Sequence, residues 1–486
     1  MQISRALGLG RTQPELDFVD IDIFTDTPLF LDPQAFHEGR GRFAEECSRD
    51  ITEFFEAVLN AAGTNDVVQG EYLLNGLREP DEIQLGLSTN LPNGRGVGAK
   101  QARQIFDRIR TSKAVKSGLI QDLNDALMFV PGIGPDKVSD ITTNIVRKHL
   151  IRYTQNQFEL YGVPITTEMP TGLLWDSVDA KWYEDFDLIP VVENRKILLV
   201  PKRYVKFQYD FTKLGQRYYD GFIASFIRDR ELKSHGKMVS FIPRKKGPPT
   251  PIVYKEDILK EVPHTKDSMA EFTNQHPEVY RRFKEAFFRH NPISLNVLMN
   301  AQGQSFREIQ FAKESITALR NLPTGARYAS DYQSLMVGLC HFLFYPSISN
   351  PVLERPINQS RKRIDISFDN TAERGIFSRI RQDPFLIGRE VMIECKNYNH
   401  DLKNPELDQL IGRFDPRRGR FGIILCRSIL DKGNLQARCA DAFKSAQGVI
   451  LVLTDADVIE ALDAGPLGRA VRIEENLQHQ MRGLLS

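Results

Sequence analysis

Two uninterrupted apolar runs constrain the fold of the C-terminal third of this chain more than any other feature. Residues 421–426 (FGIILC) and 449–454 (VILVLT) contain no charge, which is typical of strands buried on both faces of a sheet. From about residue 331, segments with helical and strand patterns follow each other as helix, strand, strand, helix, strand, helix, strand. This order predicts an α/β domain over residues 331–474, a mixed sheet flanked by helices.

The first 300 residues show a different pattern, which predicts an α+β region that is mainly helical with short strands. We expect a helical N-terminal region at 1–161 and a mixed middle region at 162–300, which serves recognition, regulation or oligomerisation. Residues 196–201 (KILLVP) and 238–243 (MVSFIP) are predicted to be short buried strands.

Bulk composition limits the possible partners and compartment. The 486 residues include 64 basic and 63 acidic side chains, a net charge of +1, so any nucleic-acid site must be a local one. The five cysteines show no CxxC spacing, which favours a reducing compartment and argues against structural zinc. No stretch reaches about 18 consecutive apolar residues. We therefore expect a cytoplasmic protein without a membrane partner.

The strand pattern at 391–396 (VMIECK) contains two residues that we expect to be catalytic. Because side chains alternate along a strand, Glu394 and Lys396 share one face, while Cys395 lies on the other. A carboxylate and an ammonium inside an otherwise apolar strand are costly to bury unless they are paired or used. Taken alone, however, a Glu-x-Lys triplet is common by chance and usually marks an exposed strand edge.

A second strand pattern, at 363–368 (RIDISF), places Asp365 on its polar face beside Arg363. If the two strands are neighbours, Asp365 and Glu394 converge. Two carboxylates suit Mg²⁺, which prefers one or two carboxylates plus waters and a substrate phosphate. The metal would activate a water, and Lys396 would hold that water or stabilise the developing charge.

The next element is predicted to be a helix that begins with Asn404 as its cap and Pro405 in its first turn. Gln409 and Arg413 fall on one face of this helix and are expected to point towards Lys396. A basic cluster for phosphates is predicted after it. With Arg363, the predicted nucleic-acid contacts are Arg413, Arg417, Arg418 and Arg420.

Asp365, then Glu394-x-Lys396, then Gln409 on the following helix resemble the motif of the PD-(D/E)XK nuclease superfamily, which has the restriction-endonuclease-like fold. The resemblance covers about 140 residues. It implies that Asp365 and Glu394 bind the metal, that Lys396 assists the water, and that Gln409 positions the water or the nucleic acid. The cofactor is then Mg²⁺, with Mn²⁺ as a substitute.

Three features depart from the motif. The short aromatic-containing motif that sometimes follows the glutamine is replaced here by Arg413. Asp365 follows isoleucine instead of proline, and 369–390 is long for a simple hairpin, so a helix or loop at 371–380 is possible between the two strands.

Other signals are weaker. The turn at 131–136 (PGIGPD) is similar to the hairpin of DNA-binding helix-hairpin-helix motifs, but a plain helix-initiating turn explains it better. The glycine-rich turn at 93–98 lacks the Lys-Ser/Thr pair of a P-loop. The acidic residues at 17–26 are interpreted as the solvent-facing side of a strand rather than as a metal site.

These patterns together predict a cytoplasmic Mg²⁺-dependent endonuclease that acts on duplex DNA, with antiviral defence as the preferred context by analogy alone. The N-terminal region is expected to mediate homo-oligomerisation or to bind a partner protein. Two alternatives are open. One is a non-catalytic nucleic-acid-binding or scaffold protein that retains the fold, and the other is a separate enzyme in the N-terminal region with the nuclease as its effector.

Overall fold

A computed structural model describes residues 1–86, 99–207, 213–353 and 366–485. Their buried apolar side chains form two clusters, one from Ile3 to Leu298 and the other from Leu295 to Leu484. Residues on both sides of position 161 contribute to the first cluster. The predicted boundaries at 161, 300 and 331 stay predictions.

The first cluster is built mainly by helices. The two longest are α3, which has apolar residues at helical spacing, and α8, which follows the turn at 131–136 with Gly134 as its cap. No helix of the described residues is long and apolar enough to cross a membrane. The helices of this part are α1 (Ile3–Ala6), α2 (Pro33–His37), α3 (Arg42–Gly63), α4 (Val67–Asn75), α5 (Ala99–Thr111), α6 (Lys113–Lys116), α7 (Leu123–Phe129), α8 (Pro135–Leu160), α9 (Leu214–Tyr218), α10 (Ala224–Ser234), α11 (Lys255–Glu261), α12 (Lys266–Gln275), α13 (Pro277–Phe287) and α14 (Leu295–Ala301).

The strands of this part form four two-stranded pairs, β1 with β6, β2 with β3, β4 with β5 and β7 with β8. Residues 239–242 do form a strand, but the prediction that it is buried is wrong, because it pairs with β8 alone and Phe241 is 58% exposed. Residues 197–200 are buried as predicted, yet only Arg195–Lys196 before them is a strand. The strands are β1 (Leu29–Leu31), β2 (Glu168–Asp176), β3 (Lys181–Leu188), β4 (Val191–Val192), β5 (Arg195–Lys196), β6 (Val205–Phe207), β7 (Val239–Ile242) and β8 (Thr250–Val253).

The N-terminal acidic residues do not line the solvent-facing side of a strand, so that interpretation is wrong. Asp17 and Asp20 are almost fully buried. The hydroxyl of Tyr153 on α8 donates to Asp17 at 2.8 Å, and Ser4 donates to Asp20 at 2.7 Å. These carboxyl groups organise the packing of the N-terminal segment, because a buried polar group requires hydrogen-bond partners.

The second cluster surrounds a five-stranded sheet with the order β13-β12-β11-β10-β9. Strands β9, β10 and β11 form an antiparallel meander, and β12 and β13 run parallel to β11. The α/β class predicted for this part is confirmed. The elements are α15 (Glu308–Asn321), α16 (Ala329–Phe344), β9 (Ile348–Leu353), β10 (Ile366–Asn370), α17 (Gly375–Gln382), β11 (Glu390–Lys396), α18 (Asn404–Ile411), β12 (Phe421–Cys426), α19 (Lys432–Lys444), β13 (Val449–Thr454), α20 (Asp455–Asp463) and α21 (Gly465–Leu485).

Strand β10, which begins directly after the predicted Asp365, and strand β11, which contains Glu394, are neighbours in the sheet. Ile366 pairs with Ile393, and Asp369 pairs with Glu390, despite α17 in the connection between the strands. Strand β9 was not expected, because Pro351 lies inside it. It occupies the edge of the sheet, where a missing N–H is tolerated, and Asn350 has a positive φ of 52°.

Asn350 also connects the sheet to the N-terminal part. Its backbone N–H donates to Asp17 at 2.9 Å, and its side-chain amide donates to Asp369 at 3.1 Å. Nearby, the buried Arg203 donates to the carbonyl oxygens of Pro346 at 2.6 Å and Thr371 at 3.0 Å. The two clusters are therefore joined by buried, hydrogen-bonded charges.

Candidate functional site

Glu394 and Lys396 lie at the C-terminal end of β11, the central strand of the sheet. Alternation along the strand puts both side chains on one face. Both residues are buried, at 2% and 6% exposure. On the neighbouring strand they are opposite Ile424 and Cys426, so the surroundings are apolar and each charge needs a partner.

Each charge has such partners. The ammonium group of Lys396 forms an ion pair with the Glu394 carboxylate. Lys396 Nζ also donates to Gln409 Oε1 at 3.1 Å, and Arg413 donates to Glu394 Oε2 at 3.1 Å. Four polar side chains from β11, α18 and the turn after α18 thus meet at one point, which we call the Glu394 site. The structure brings together the predicted residues Glu394, Lys396, Gln409 and Arg413.

The start of α18 determines which of its side chains reach this site. The cap is Lys403, one residue earlier than the predicted Asn404, and Glu406 Oε2 accepts the backbone N–H of Lys403 at 2.8 Å. Leu407 and Leu410 are buried beneath the helix. This anchoring of one face leaves Gln409 directed towards Lys396.

Aromatic side chains follow β11 beside the Glu394 site. Lys396 Nζ lies 5.9 Å from the centre of the Tyr398 ring, and the Tyr398 and His400 rings stack with their centres 4.7 Å apart. Since an aromatic face attracts a cation, Tyr398 gives Lys396 a further weak contact.

Two predicted residues, Asp365 and Arg363, lie outside the described residues, as does the glycine-rich turn at 93–98. Asp365 directly precedes Ile366 in the chain, and the partner of Ile366 is Ile393, which directly precedes Glu394. Among the described residues, no group of three or more His, Cys, Asp or Glu side chains could hold a metal ion.

The other predicted arginines do not form one cluster. Arg418 Nε donates to Glu390 at 2.7 Å, at the opposite end of β11 from Lys396. The guanidinium of Arg420 lies over the Phe385 ring, 5.0 Å from its centre. Arg417 has a side chain that is 92% exposed. Arg417 and Arg418 line one cavity, and Arg420 is not among its lining residues. Their predicted role in nucleic-acid contact stays a prediction.

A second pair of acidic residues, Asp369 and Glu390, lies on the same face of β10 and β11 as Glu394. Asp369 is 6% exposed, and its Oδ2 accepts hydrogen bonds from Asn350 at 3.1 Å and from the backbone N–H of Phe43 at 3.5 Å. Burial raises the pKa of Asp369 to about 7, with a contribution from the negative charge of Glu390. Gly41 fits closely against this carboxyl group, because a Cβ there would lie 2.7 Å from Asp369 Cγ.

Neither residue of this second pair was predicted from the sequence. The available signal was spacing, since Asp369 follows Asp365 by four residues and Glu390 precedes Glu394 by four. An even spacing keeps residues of one strand on one face. The partners of Asp369, namely Phe43 and Asn350, had no such signal because they come from distant segments.

Comparisons with known proteins bear on the N-terminal part alone. A family model described as a domain of unknown function (DUF8370) matches residues 8–212. No curated protein and no solved structure matches this chain. The matched segment includes Phe43 and Tyr153, and it ends before β9, so none of the residues of the Glu394 site lies within it.

Proposed function

We propose that the sheet region, within residues 331–474, is a metal-dependent nuclease that hydrolyses phosphodiester bonds of nucleic acid. The observation that carries the proposal is the contact of Lys396 with both Glu394 and Gln409, three polar side chains brought together by a buried strand and the helix after it. The meander β9-β10-β11 and the parallel strand β12, which follows α18, agree with the order that a restriction-endonuclease-like fold requires.

The donor set at the Glu394 site suits Mg²⁺ in part. Glu394 supplies one buried carboxylate, and we propose that Asp365 supplies the second. Carboxylates and waters are the ligands that Mg²⁺ prefers, and Mn²⁺ accepts the same set. When bound, such an ion would neutralise charge on a phosphate and lower the pKa of a water.

Lys396 and Arg413 would then have different roles in the reaction. Lys396, held by Gln409 at 3.1 Å, is positioned to orient a water or to stabilise negative charge that develops on the phosphate. Arg413 donates to Glu394 at 3.1 Å and carries a charge that would compete with a metal ion there. We infer that Arg413 turns from Glu394 to the phosphate when metal and nucleic acid bind.

The test is incubation of purified protein with plasmid DNA and with a structured RNA, in Mg²⁺ and in EDTA. We expect cleavage in Mg²⁺ alone, loss of cleavage in Glu394→Gln and Lys396→Ala, and normal cleavage in the control Glu285→Gln, an exposed residue of α13. Equal cleavage by wild type and both site variants would identify a contaminating nuclease and remove the proposal. Comparing the two nucleic acids distinguishes duplex DNA, which we propose as the substrate, from RNA.

A second candidate is supported by the Arg413–Glu394 pair, because two cations already neutralise this carboxylate without a metal. In this alternative the region binds nucleic acid without cutting it. It predicts no Mg²⁺-dependent cleavage by wild type, together with nucleic-acid binding that is the same in Mg²⁺ and EDTA. A cytoplasmic role in antiviral defence, with the N-terminal region as oligomerisation or partner-binding module, is our proposed context for the nuclease.

A further inference from the structure

A cavity of about 550 Å³ lies where the start of α3 and the later turns of α8 face β10 and β11. This volume is within the range of roughly 300–1,000 Å³ that is usual for small-molecule sites. The cavity is distinct from the Glu394 site, because Glu390 lies four residues before Glu394, about 13 Å away at the usual rise of a strand. We call it the Asp369 cavity. Its charged lining residues are Arg42, Arg152, Asp369, Glu390, Asp415, Arg417 and Arg418, with Asn350 beside Asp369.

Most charges of the Asp369 cavity are separated by depth. The side chains of Arg42, Arg152 and Arg417 are exposed at its mouth, with exposed fractions of 78%, 48% and 92%. Asp369 and Glu390 lie deeper, with 6% exposure for Asp369 and 22% for the side chain of Glu390, which pairs with Arg418 at 2.7 Å. Asp415 is the exception, because its side chain is 41% exposed and lies 3.7 Å from Arg417. A ligand that fills this space therefore meets an excess of arginines at the mouth and the carboxyl groups of Asp369 and Glu390 at the deeper end.

The arginines at the mouth are held in place yet keep donors for a ligand. Glu46 forms ion pairs with both Arg42, at 2.7 Å, and Arg152. Hydrogen bonds from His149 and from these arginines lower the pKa of Glu46, so that it stays ionised. Since a guanidinium has five N–H donors, a single carboxylate leaves others for an anion.

The remaining walls offer aromatic and amide groups. Phe43 and Tyr153 contribute rings that are almost fully buried, 5.6 Å apart between centres, and Asn156 contributes a partly exposed amide. An amide is a group that proteins use to hydrogen-bond a nucleobase. The side-chain amide of Asn350 donates a hydrogen bond to Asp369 and holds its carboxyl group in place.

We propose that the Asp369 cavity binds a nucleotide, with its phosphate held by Arg152 and Arg417 at the mouth and its sugar hydroxyls or base amino group bonded to Asp369 and Glu390. A simple anion is disfavoured by the carboxyl groups inside, and a simple cation is disfavoured by the arginines in its path. A nucleotide combines a phosphate with hydrogen-bond donors at its other end. The inference stands on the cavity and does not require the proposed nuclease activity.

Isothermal titration calorimetry with the full chain tests this proposal. The probes are the four ribonucleoside 5′-monophosphates and their deoxy counterparts, the matching nucleosides and inorganic phosphate. We expect at least one monophosphate to bind about tenfold or more tightly than its nucleoside and than inorganic phosphate. A fluorescent single-stranded oligonucleotide, followed by anisotropy in EDTA, tests whether the nucleotide belongs to a strand.

Variants assign the binding to the cavity. Arg152→Ala and Arg417→Ala should weaken nucleotide binding about tenfold, and Arg281→Ala, an exposed arginine of α13, should leave it unchanged. Asp369→Asn and Glu390→Gln should weaken nucleotide binding without weakening that of inorganic phosphate. Glu390→Gln is the safer of the two for folding because Glu390 is less buried.

The two kinds of probe distinguish a free nucleotide from a nucleotide within a strand. Free monophosphates that bind through Arg152 support a free nucleotide as ligand, whereas Arg152-dependent binding of the oligonucleotide alone supports a nucleotide within a strand. The proposal is overturned if no probe depends on Arg152 or Arg417, or if inorganic phosphate binds as tightly as every monophosphate. Lys396→Ala should bind nucleotide like wild type, so failure of the nuclease proposal and failure of this one give different results.

Discussion

The two ends of β11 place carboxyl groups on the same face of one strand in opposite electrostatic surroundings. At the C-terminal end, Glu394 is bonded to two cations, Lys396 and Arg413. At the N-terminal end, Asp369 faces another carboxylate, Glu390, whose own cation is Arg418. Two cations lie beside the first carboxylate, while burial raises the pKa of Asp369 to about 7.

This difference lies in the partners of the two carboxyl groups, because burial, which is the largest cause of the raised pKa of Asp369, is similar at both positions. Both Glu394 and Asp369 are at least nine-tenths buried and lie on neighbouring strands. An ionised carboxylate is needed to attract a metal ion, whereas a carboxyl group that titrates near neutral pH can accept or donate a hydrogen bond. We therefore expect the two carboxyl groups to suit different ligands.

The largest expected effect is the loss of cleavage when Lys396 is replaced. If the Glu394 site cuts nucleic acid, Lys396→Ala should lower the rate of Mg²⁺-dependent cleavage about 100- to 1,000-fold, as removal of a charge-stabilising donor does. Binding of the nucleic acid, measured by mobility shift in EDTA, should change less than threefold. The matched control is Lys233→Ala, an exposed lysine of α10. A Lys396→Ala protein that cuts at the wild-type rate would contradict the assignment.

The next effect concerns stability at the same site. Glu394→Gln leaves Lys396 and Arg413 without their carboxylate, and breaking a buried ion pair in this way costs roughly 3 kcal/mol of unfolding free energy. The double variant Glu394→Gln/Lys396→Met should recover part of the loss, because one uncompensated charge is removed. Urea unfolding of the wild type, both single variants and the double variant gives the coupling energy. Additive losses would show that the two charges do not stabilise each other.

The third effect concerns how Asp369 makes the stability of the fold depend on pH. Its pKa of about 7 in the folded chain exceeds the ordinary value of 3.8, so between these values the folded state holds a proton that the unfolded state has lost. This stabilisation is fully present below pH 3.8 and is lost as the pH rises through 7. Asp369→Asn cannot titrate, so its unfolding free energy should fall less steeply with pH, by about 1.4 kcal/mol per pH unit.

Urea unfolding at pH 5, 6 and 7 measures this slope for the wild type and for Asp369→Asn. Asp140 and Asp81, with pKa values raised to about 8 and about 6, contribute the same sign to both proteins, so the difference between the slopes isolates Asp369. Asp463→Asn, at an exposed position, is the control. Parallel curves for the wild type and Asp369→Asn would show that Asp369 is ionised throughout this range.

The first of these two sites could be predicted from the sequence, and the second could not. Alternation along 391–396 was enough to place Glu394 and Lys396 on one face, and helical spacing placed Gln409 and Arg413 near them. These are local periodicities within short segments. The apolar runs at 421–426 and 449–454 predicted β12 and β13 for the same reason.

What the sequence did not predict depends on contacts between distant segments. The start of α3 meets Asp369 across more than 300 residues, and no local pattern encodes that approach. Strand β9 contains Pro351, so its sequence does not resemble that of a strand. The proline is tolerated because β9 lies at the sheet edge. The buried Asp20 had the alternation expected of a strand face, yet Ser4 provides hydrogen bonds that allow it to be buried.

The smallest expected effect concerns the cation that Glu394 would exchange for a metal. Arg413→Gln removes a competitor that contacts one oxygen of Glu394 at 3.1 Å and whose own side chain is 15% exposed. We therefore expect Mn²⁺ to bind about fivefold more tightly to Arg413→Gln than to wild type, measured by electron paramagnetic resonance without nucleic acid. With nucleic acid present, the variant should bind the strand more weakly, because a phosphate contact is lost. Unchanged Mn²⁺ affinity would mean that Arg413 and the metal do not share Glu394, and the contrast between the two ends of β11 would then rest on Lys396 alone.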